Sequence, residues 1–206
     1  MTDAAAHLAA NDLACRRGER MLFRGLNLAL GPGQVMWLRG ANGRGKTSLL
    51  RLLAGLGSPA AGRIERDPQR ERVYLGHANA LKDDLTVTES LRFLSRLHGF
   101  DSAPAALAAA LQRFGLASRR DAPVRTLSQG QRRRVALARL CLAPPRSLWL
   151  LDEPFDALDA EGVAALDLLL SEHAARGGSV LLTSHLPLTL TSPAPITLQL
   201  DEVATA

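Results

Sequence analysis

Aromatic residues make up only 4% of this 206-residue chain, so leucine, valine and alanine must fill the interior, and a hydrophobic content of 47% is ample for that. No run of about 18 consecutive apolar residues occurs, which excludes a membrane-spanning helix and leaves any membrane role peripheral. Met1-Thr2-Asp3-Ala4-Ala5-Ala6-His7 has no basic segment leading into an apolar one, so no signal peptide and a cytoplasmic location are expected. Cysteine is scarce. Cys15 and Cys141 lack C-x-x-C spacing and read as small buried residues or free thiols in a reducing compartment. Without C-x-x-C-H, covalent haem attachment is not encoded. Lysine occurs only at 46 and 82, so the formal net charge of +5 is carried by arginine. Those arginines are scattered and not interleaved with aromatics. No nucleic-acid partner is expected, and an arginine-rich codon bias with modest attraction to an anionic leaflet accounts for the charge. The length fits one domain with a subdomain.

What is present centres on one stretch. Val35-Met36-Trp37-Leu38 is a short apolar run, Gly40-Ala41-Asn42-Gly43-Arg44-Gly45-Lys46-Thr47 follows, and Ser48-Leu49-Leu50-Arg51-Leu52-Leu53 is amphipathic. Strand, glycine-rich loop and helix together fit the phosphate loop G-x-x-x-x-G-K-[ST]. Gly40, Gly43 and Gly45 permit positive φ and close backbone approach. The loop N–H groups then form an anion nest at a helix start, with Lys46 placed for the β- and γ-phosphates and the Thr47 hydroxyl for Mg²⁺. Residues 40–48 are therefore the candidate nucleotide-binding stretch. The plainer alternative is a glycine turn before a helix.

Around it the chain reads as α/β. Strands are expected at His7–Cys15, Phe23–Leu30, Gln34–Arg39, Gly62–Glu65, Arg72–Gly76, Leu148–Leu151, Ser179–Thr183 and Ile196–Leu200. A helix should run from the loop to about Ala54, where Gly55 ends it. Residues 77–145 are helical in character and interrupt a nucleotide-binding core at 1–76 and 146–206. Thr86-Val87-Thr88-Glu89 matches a capping box, and further helices are expected at Pro104–Phe114, Ser128–Leu142 and Glu161–Ala175.

Hydrolysis of a γ-phosphate needs a metal ligand and a group that activates water. Asp152 and Glu153 follow a buried strand, where doubly wound sheets place ligands. Asp152 is the candidate to hold Mg²⁺, directly or through water, and Glu153 to orient and deprotonate the water. Leu127-Ser128-Gln129-Gly130-Gln131 opens a second helix, and the Ser128 hydroxyl with the Gly130 amide makes a second anion site. A two-fold dimer, with each nucleotide between the loop of one subunit and Ser128 of the other, reconciles the two sites.

These motifs, with Pro154-Phe155-Asp156-Ala157-Leu158-Asp159 and Thr183-Ser184-His185 after them, resemble those of the ATP-binding cassette ATPases over essentially the whole chain. The resemblance implies a phosphate-loop ATPase fold, with a mixed parallel sheet core, an antiparallel β subdomain and an inserted helical subdomain. It implies ATP and Mg²⁺ as ligands and Ser128, Gln129, Gly130 and Gln131 as a signature reaching the partner's ATP. It further implies that Asp159 lies in the loop communicating across the dimer and that His185 contacts the γ-phosphate. His7, His98 and His173 read as plain surface residues.

Two positions depart from the family pattern. Arg17 stands where relatives place an aromatic residue under the adenine, and a guanidinium plane can stack there instead. His77 stands where relatives carry Gln. Together with the compact length and Leu75-Gly76-His77, this resembles the haem-exporter ATPase subunits of bacterial cytochrome c maturation. That implies a membrane-spanning CcmB-like permease, CcmC- and CcmD-like proteins, and a location on the cytoplasmic face of the inner membrane. ATP would drive haem export or release from a haem chaperone. Competing readings are a cassette ATPase for another solute and a soluble cassette ATPase of DNA repair or translation. Because imidazole titrates near neutrality, hydrolysis should depend on pH through His77. Superimposable ATPase pH profiles for the wild type and His77→Gln would refute this.

Overall fold

The computed structural model of the chain describes residues 6–203, so most of the stretch read for a signal peptide lies outside the described residues. In chain order the elements are β1 (Leu8–Arg17), β2 (Arg20–Leu30), β3 (Val35–Arg39), α1 (Lys46–Ala54), β4 (Ala61–Arg66), β5 (Arg72–Leu75), α2 (Val87–Leu97), α3 (Pro104–Arg113), α4 (Gln129–Ala138), β6 (Leu148–Leu151), α5 (Ala160–Ala175), β7 (Ser179–Thr183) and β8 (Ile196–Gln199). Two compact units result. The first is Met1–Gly76, Pro145–Glu153 and Leu170–Ala206; the second is His77–Pro144 and Pro154–Leu169.

The first unit holds both sheets. The antiparallel sheet has the order β2-β1-β4 and the larger one β5-β6-β7-β3-β8. Each pairing in the larger sheet is parallel. Its central strands are buried throughout because both faces are covered, and they are apolar apart from Ser179 and Thr183 at the ends of β7: all four residues of β6 and all five of β7 are buried. Strand register decides where function can sit. Leu38 pairs with Thr183 and Leu151 with Leu182. The C-terminal ends of β3, β6 and β7 are therefore level, and the residues after them emerge at one edge. Leu49, Leu50 and Leu53 of α1 pack into a core with Phe23, Leu38 and Leu150. Gly55 closes α1 in the left-handed region, with its N–H on the Leu52 carbonyl and the Leu56 N–H on that of Arg51.

In the second unit, Thr86 caps α2 as the sequence suggests. Its hydroxyl accepts the Glu89 N–H at 3.2 Å, and the Glu89 carboxylate accepts the Thr86 N–H at 2.8 Å. The helix expected from Ser128 to Leu142 is instead α4 followed by a 3₁₀ turn over Arg139–Leu142. Pro144 and Pro145 cannot continue an α-helical ladder, and the last residues tighten before them.

The histidines correct a second expectation. His98 is exposed, but His7 and His173 are buried in the first unit. His173 lies flat on Trp149, with ring centroids 3.6 Å apart and planes 8° from parallel, and its Nε2 meets the Ser147 carbonyl at 2.9 Å. A side chain at Gly178 would collide with that ring, so glycine is required there. His7 bonds through Nδ1 to the Ser179 hydroxyl at 2.7 Å. Neither burial follows from a one-dimensional pattern, because each depends on a partner about 25 or more residues away in the chain.

Burial, against a weaker upward effect of the Ser147 bond, pushes the His173 imidazole down to about 4 from an ordinary 6.5. Its neutral form is therefore favoured by folding. That contribution is complete above pH 6.5 and is lost as pH falls towards about 4. Between about pH 7.5 and pH 5 it amounts to about 2 kcal/mol. Urea unfolding at those two pH values should show His173→Phe losing about that much of the wild type's pH dependence; an unchanged dependence would contradict it.

Candidate nucleotide-binding site

The level strand ends of the first unit bring the phosphate loop and the carboxylate pair together. Gly45, at φ 104°, is the N-cap of α1, and a β-carbon on it would lie 3.1 Å from Leu22. The loop is therefore seated directly against β2. Lys46 Nζ donates to the Gly40 carbonyl at 2.7 Å and to that of Ala41 at 3.5 Å. The Thr47 hydroxyl donates to Asp152 Oδ2 at 2.8 Å. These are hard oxygen donors side by side, a set that suits Mg²⁺.

Asp152 is 3% exposed and holds two hydroxyls, since its Oδ1 accepts from Thr183 at 3.0 Å. The same Thr183 oxygen accepts the Glu153 N–H at 2.8 Å. Glu153 has φ 49°, a left-handed conformation unusual for a non-glycine residue, and this backbone bond helps to fix it. Its Oε2 accepts the His185 N–H at 2.9 Å, while His185 Nε2 lies 3.4 Å from Oε1. Asp152, Glu153 and His185 thus converge with Thr47. Arg17 is exposed and lines a cavity of about 440 Å³ together with Thr47, Ser48 and Arg51. Asn42 and Gly43 are exposed at the loop's tip.

The remaining candidates lie in the second unit. Ser128 caps α4: its hydroxyl accepts the Gln131 N–H at 3.2 Å, and the Gln131 side chain accepts the Ser128 N–H at 3.0 Å. Gly130 packs so tightly that a β-carbon would stand 2.6 Å from the Ala157 carbonyl oxygen. The signature start and the 154–159 stretch are therefore in direct contact. Asp159 accepts from Arg134 and from the Gly162 N–H. The Arg134 guanidinium, followed by that N–H, holds its carboxyl below the usual range. His77 is largely exposed, with Nδ1 3.7 Å from Asp156 Oδ2.

Two residues of the first unit escaped sequence reasoning. Thr183 belongs to a recognisable stretch, but its bridging hydroxyl depends on the register of β6 against β7. Asp201 lies 160 residues beyond Ala41 and accepts that residue's N–H at 3.0 Å. No local pattern marks it.

Comparison with known proteins places this geometry in context. The family described as ABC transporter matches residues 23–156. The cytochrome c biogenesis ATP-binding export protein CcmA of Aromatoleum aromaticum (strain DSM 19018 / LMG 30748 / EbN1) is 52% identical over 207 aligned positions, covering 96% of each chain. Among solved structures, the ATP-binding subunit of an ABC transporter superposes with a TM-score of 0.81 at 25% identity, covering 97% of this chain and 89% of that one. An ATP-binding cassette solved as a dimer in a post-hydrolysis state with ADP and phosphate gives 0.74 at 21% identity, covering 87% and 88%.

The Thr183 bridge predicts a measurable cost. Thr183→Val leaves the buried Glu153 N–H without its acceptor and should lower stability by about 1–3 kcal/mol in denaturant unfolding. Thr183→Ser should recover most of it. Equal losses in both variants would show that packing, not the hydroxyl, matters.

Proposed function

The chain belongs to the ABC transporter family and is its ATP-hydrolysing type of subunit, and from that premise we propose that it powers the export step of cytochrome c biogenesis. The observation that carries the reading is the convergence of Thr47, Asp152, Glu153 and His185 at level strand ends. The extensive identity to an export protein of that process supplies the physiological direction.

In this proposal residues 40–48 wrap the triphosphate of ATP, and Lys46 exchanges its carbonyl partners for phosphate oxygens. Arg17 offers its guanidinium plane to the base from the rim of the adjoining cavity. Thr47 and Asp152 would hold Mg²⁺, which when bound neutralises phosphate charge. Glu153 takes a proton from water as the water oxygen bonds to the γ-phosphorus and the bond to the β–γ bridging oxygen breaks. The His185 N–H keeps the Glu153 carboxylate aimed, and its imidazole faces the γ-phosphate.

The chain acts as a dimer with a membrane partner. Ser128, Gln129, Gly130 and Gln131 of one subunit engage the ATP held by the other, and Asp159 relays the state of one site to its neighbour. Two bound ATP molecules close the dimer and hydrolysis reopens it. The finer proposal is a CcmB-like permease with CcmC- and CcmD-like proteins on the cytoplasmic face of the inner membrane. Their joint task is haem export or release of haem from its chaperone.

Glu153→Gln should bind ATP and dimerise, with hydrolysis slowed by about a hundredfold or more. In a strain deleted for the gene, covalently bound haem staining should vanish, return with the wild type and fail to return with Glu153→Gln. Persistence of c-type cytochromes after deletion would remove the biogenesis role while leaving the ATPase chemistry intact.

A further inference from the structure

The phosphate loop contains two cations, Arg44 and Lys46, and the fold treats them differently. Lys46 rests on neutral carbonyls. Arg44 is held by a carboxylate from the far end of the chain: its Nε donates to Asp201 Oδ1 at 2.9 Å and its Nη2 to the Asp201 carbonyl oxygen at 3.0 Å. The same carboxylate accepts the Ala41 N–H through both oxygens, at 3.2 and 3.0 Å. A guanidinium gripped at two nitrogens is more strongly oriented than one in a single surface ion pair.

We propose that Asp201 withholds Arg44 from the bound nucleotide, so that Lys46 is the cation whose side chain the loop commits to the phosphates. The inference rests on the nucleotide-site reading. The placement of Asp201 is built into the fold. β8 pairs with β3 through Gln199 and Arg39, and Leu200, only 1% exposed, anchors the 3₁₀ turn over Leu200–Glu202 in the core. Gly40 lets that turn approach: at φ +152°, a β-carbon there would lie 3.3 Å from Leu200 Cβ and 3.6 Å from Asp201 Oδ1.

Electrostatics explains why the pair persists once nucleotide binds. Lys46 loses only dipolar contacts on turning to a phosphate. Arg44 would leave behind a carboxylate facing the same phosphates, a like-charge penalty that offsets its gain. The restraint is also useful. A second cation on the α- and β-phosphates would strengthen ATP and ADP alike, and such uniform binding slows product release without assisting chemistry. Asp201 is thus a positioning residue that keeps product affinity low.

The test is calorimetric titration of the full chain with ADP and Mg²⁺ at low ionic strength, paired with steady-state ATP hydrolysis. Asp201→Asn should bind ADP about tenfold more tightly, the size of effect expected for one new charge-assisted contact. Its kcat and KM should both fall. Asp201→Glu, which keeps the charge, should return towards the wild type, and Asp201→Asn placed in an Arg44→Ala background should give no tightening. If Asp201 merely braced the loop, its loss would weaken ADP binding. Weaker or unchanged affinity in Asp201→Asn, or tightening that survives without Arg44, overturns the proposal. A folded wild type that binds no ADP would overturn the nucleotide-site reading and this inference with it.

Discussion

Asp152 is the point on which the geometry of the first unit's candidate site depends. Its buried carboxylate accepts the Thr47 hydroxyl from α1 and the Thr183 hydroxyl from β7. One side chain therefore ties the phosphate loop to two neighbouring strands, and the second hydroxyl passes the constraint on to the Glu153 backbone. A buried carboxylate is costly unless its hydrogen-bonding capacity is met. Here the groups that meet it are also the side chains of the candidate site, so stabilising the strand ends and bringing those side chains together are the same event. Parallel pairing makes this possible, because it brings the C-terminal ends of strands distant in sequence to one edge.

The arginine content has a structural use that composition alone conceals. In the second unit Arg133 is 3% exposed, with its Nε on the Pro154 carbonyl and its Nη1 on Asn79. Arg134 reaches the Phe114 carbonyl as well as Asp159. Arg139 is buried deeply enough, with Arg133 near it, that its pKa is brought down to about 10. Planar guanidinium forks suit such carbonyl contacts better than an ammonium does. Codon bias therefore describes where the arginines came from less well than packing describes what several of them do.

Much of this organisation was legible in the sequence because its signals are local. Glycine spacing around Lys46, the cap at Thr86, the stop at Gly55 and the apolar run before Asp152 each depend on neighbours within a few residues. Strand and helix limits shifted by a few residues, as with the 3₁₀ ending of α4, because hydrogen bonding at an element's end is settled by the residues just beyond it. The features that stayed hidden required the third dimension. His173 is buried because Trp149 offers a ring face, Thr183 bridges because β6 and β7 are in register, and Asp201 meets the loop because β8 lies beside β3. No periodicity encodes any of these pairings.

The capping box at Ser128 has a bearing on how its loss would be read. The hydroxyl oxygen accepts the Gln131 N–H, which leaves its hydrogen free to turn outward as a donor. One atom group thus serves as a helix cap and as a prospective anion ligand. Alanine at 128 would remove both at once, and a defect in that protein would confound helix fraying with lost ligand contact. Glycine, which costs an N-cap only a few tenths of a kcal/mol relative to serine but has no hydroxyl to donate, separates the two, because a ligand-binding deficit with the helix start nearly intact then reports the missing donor.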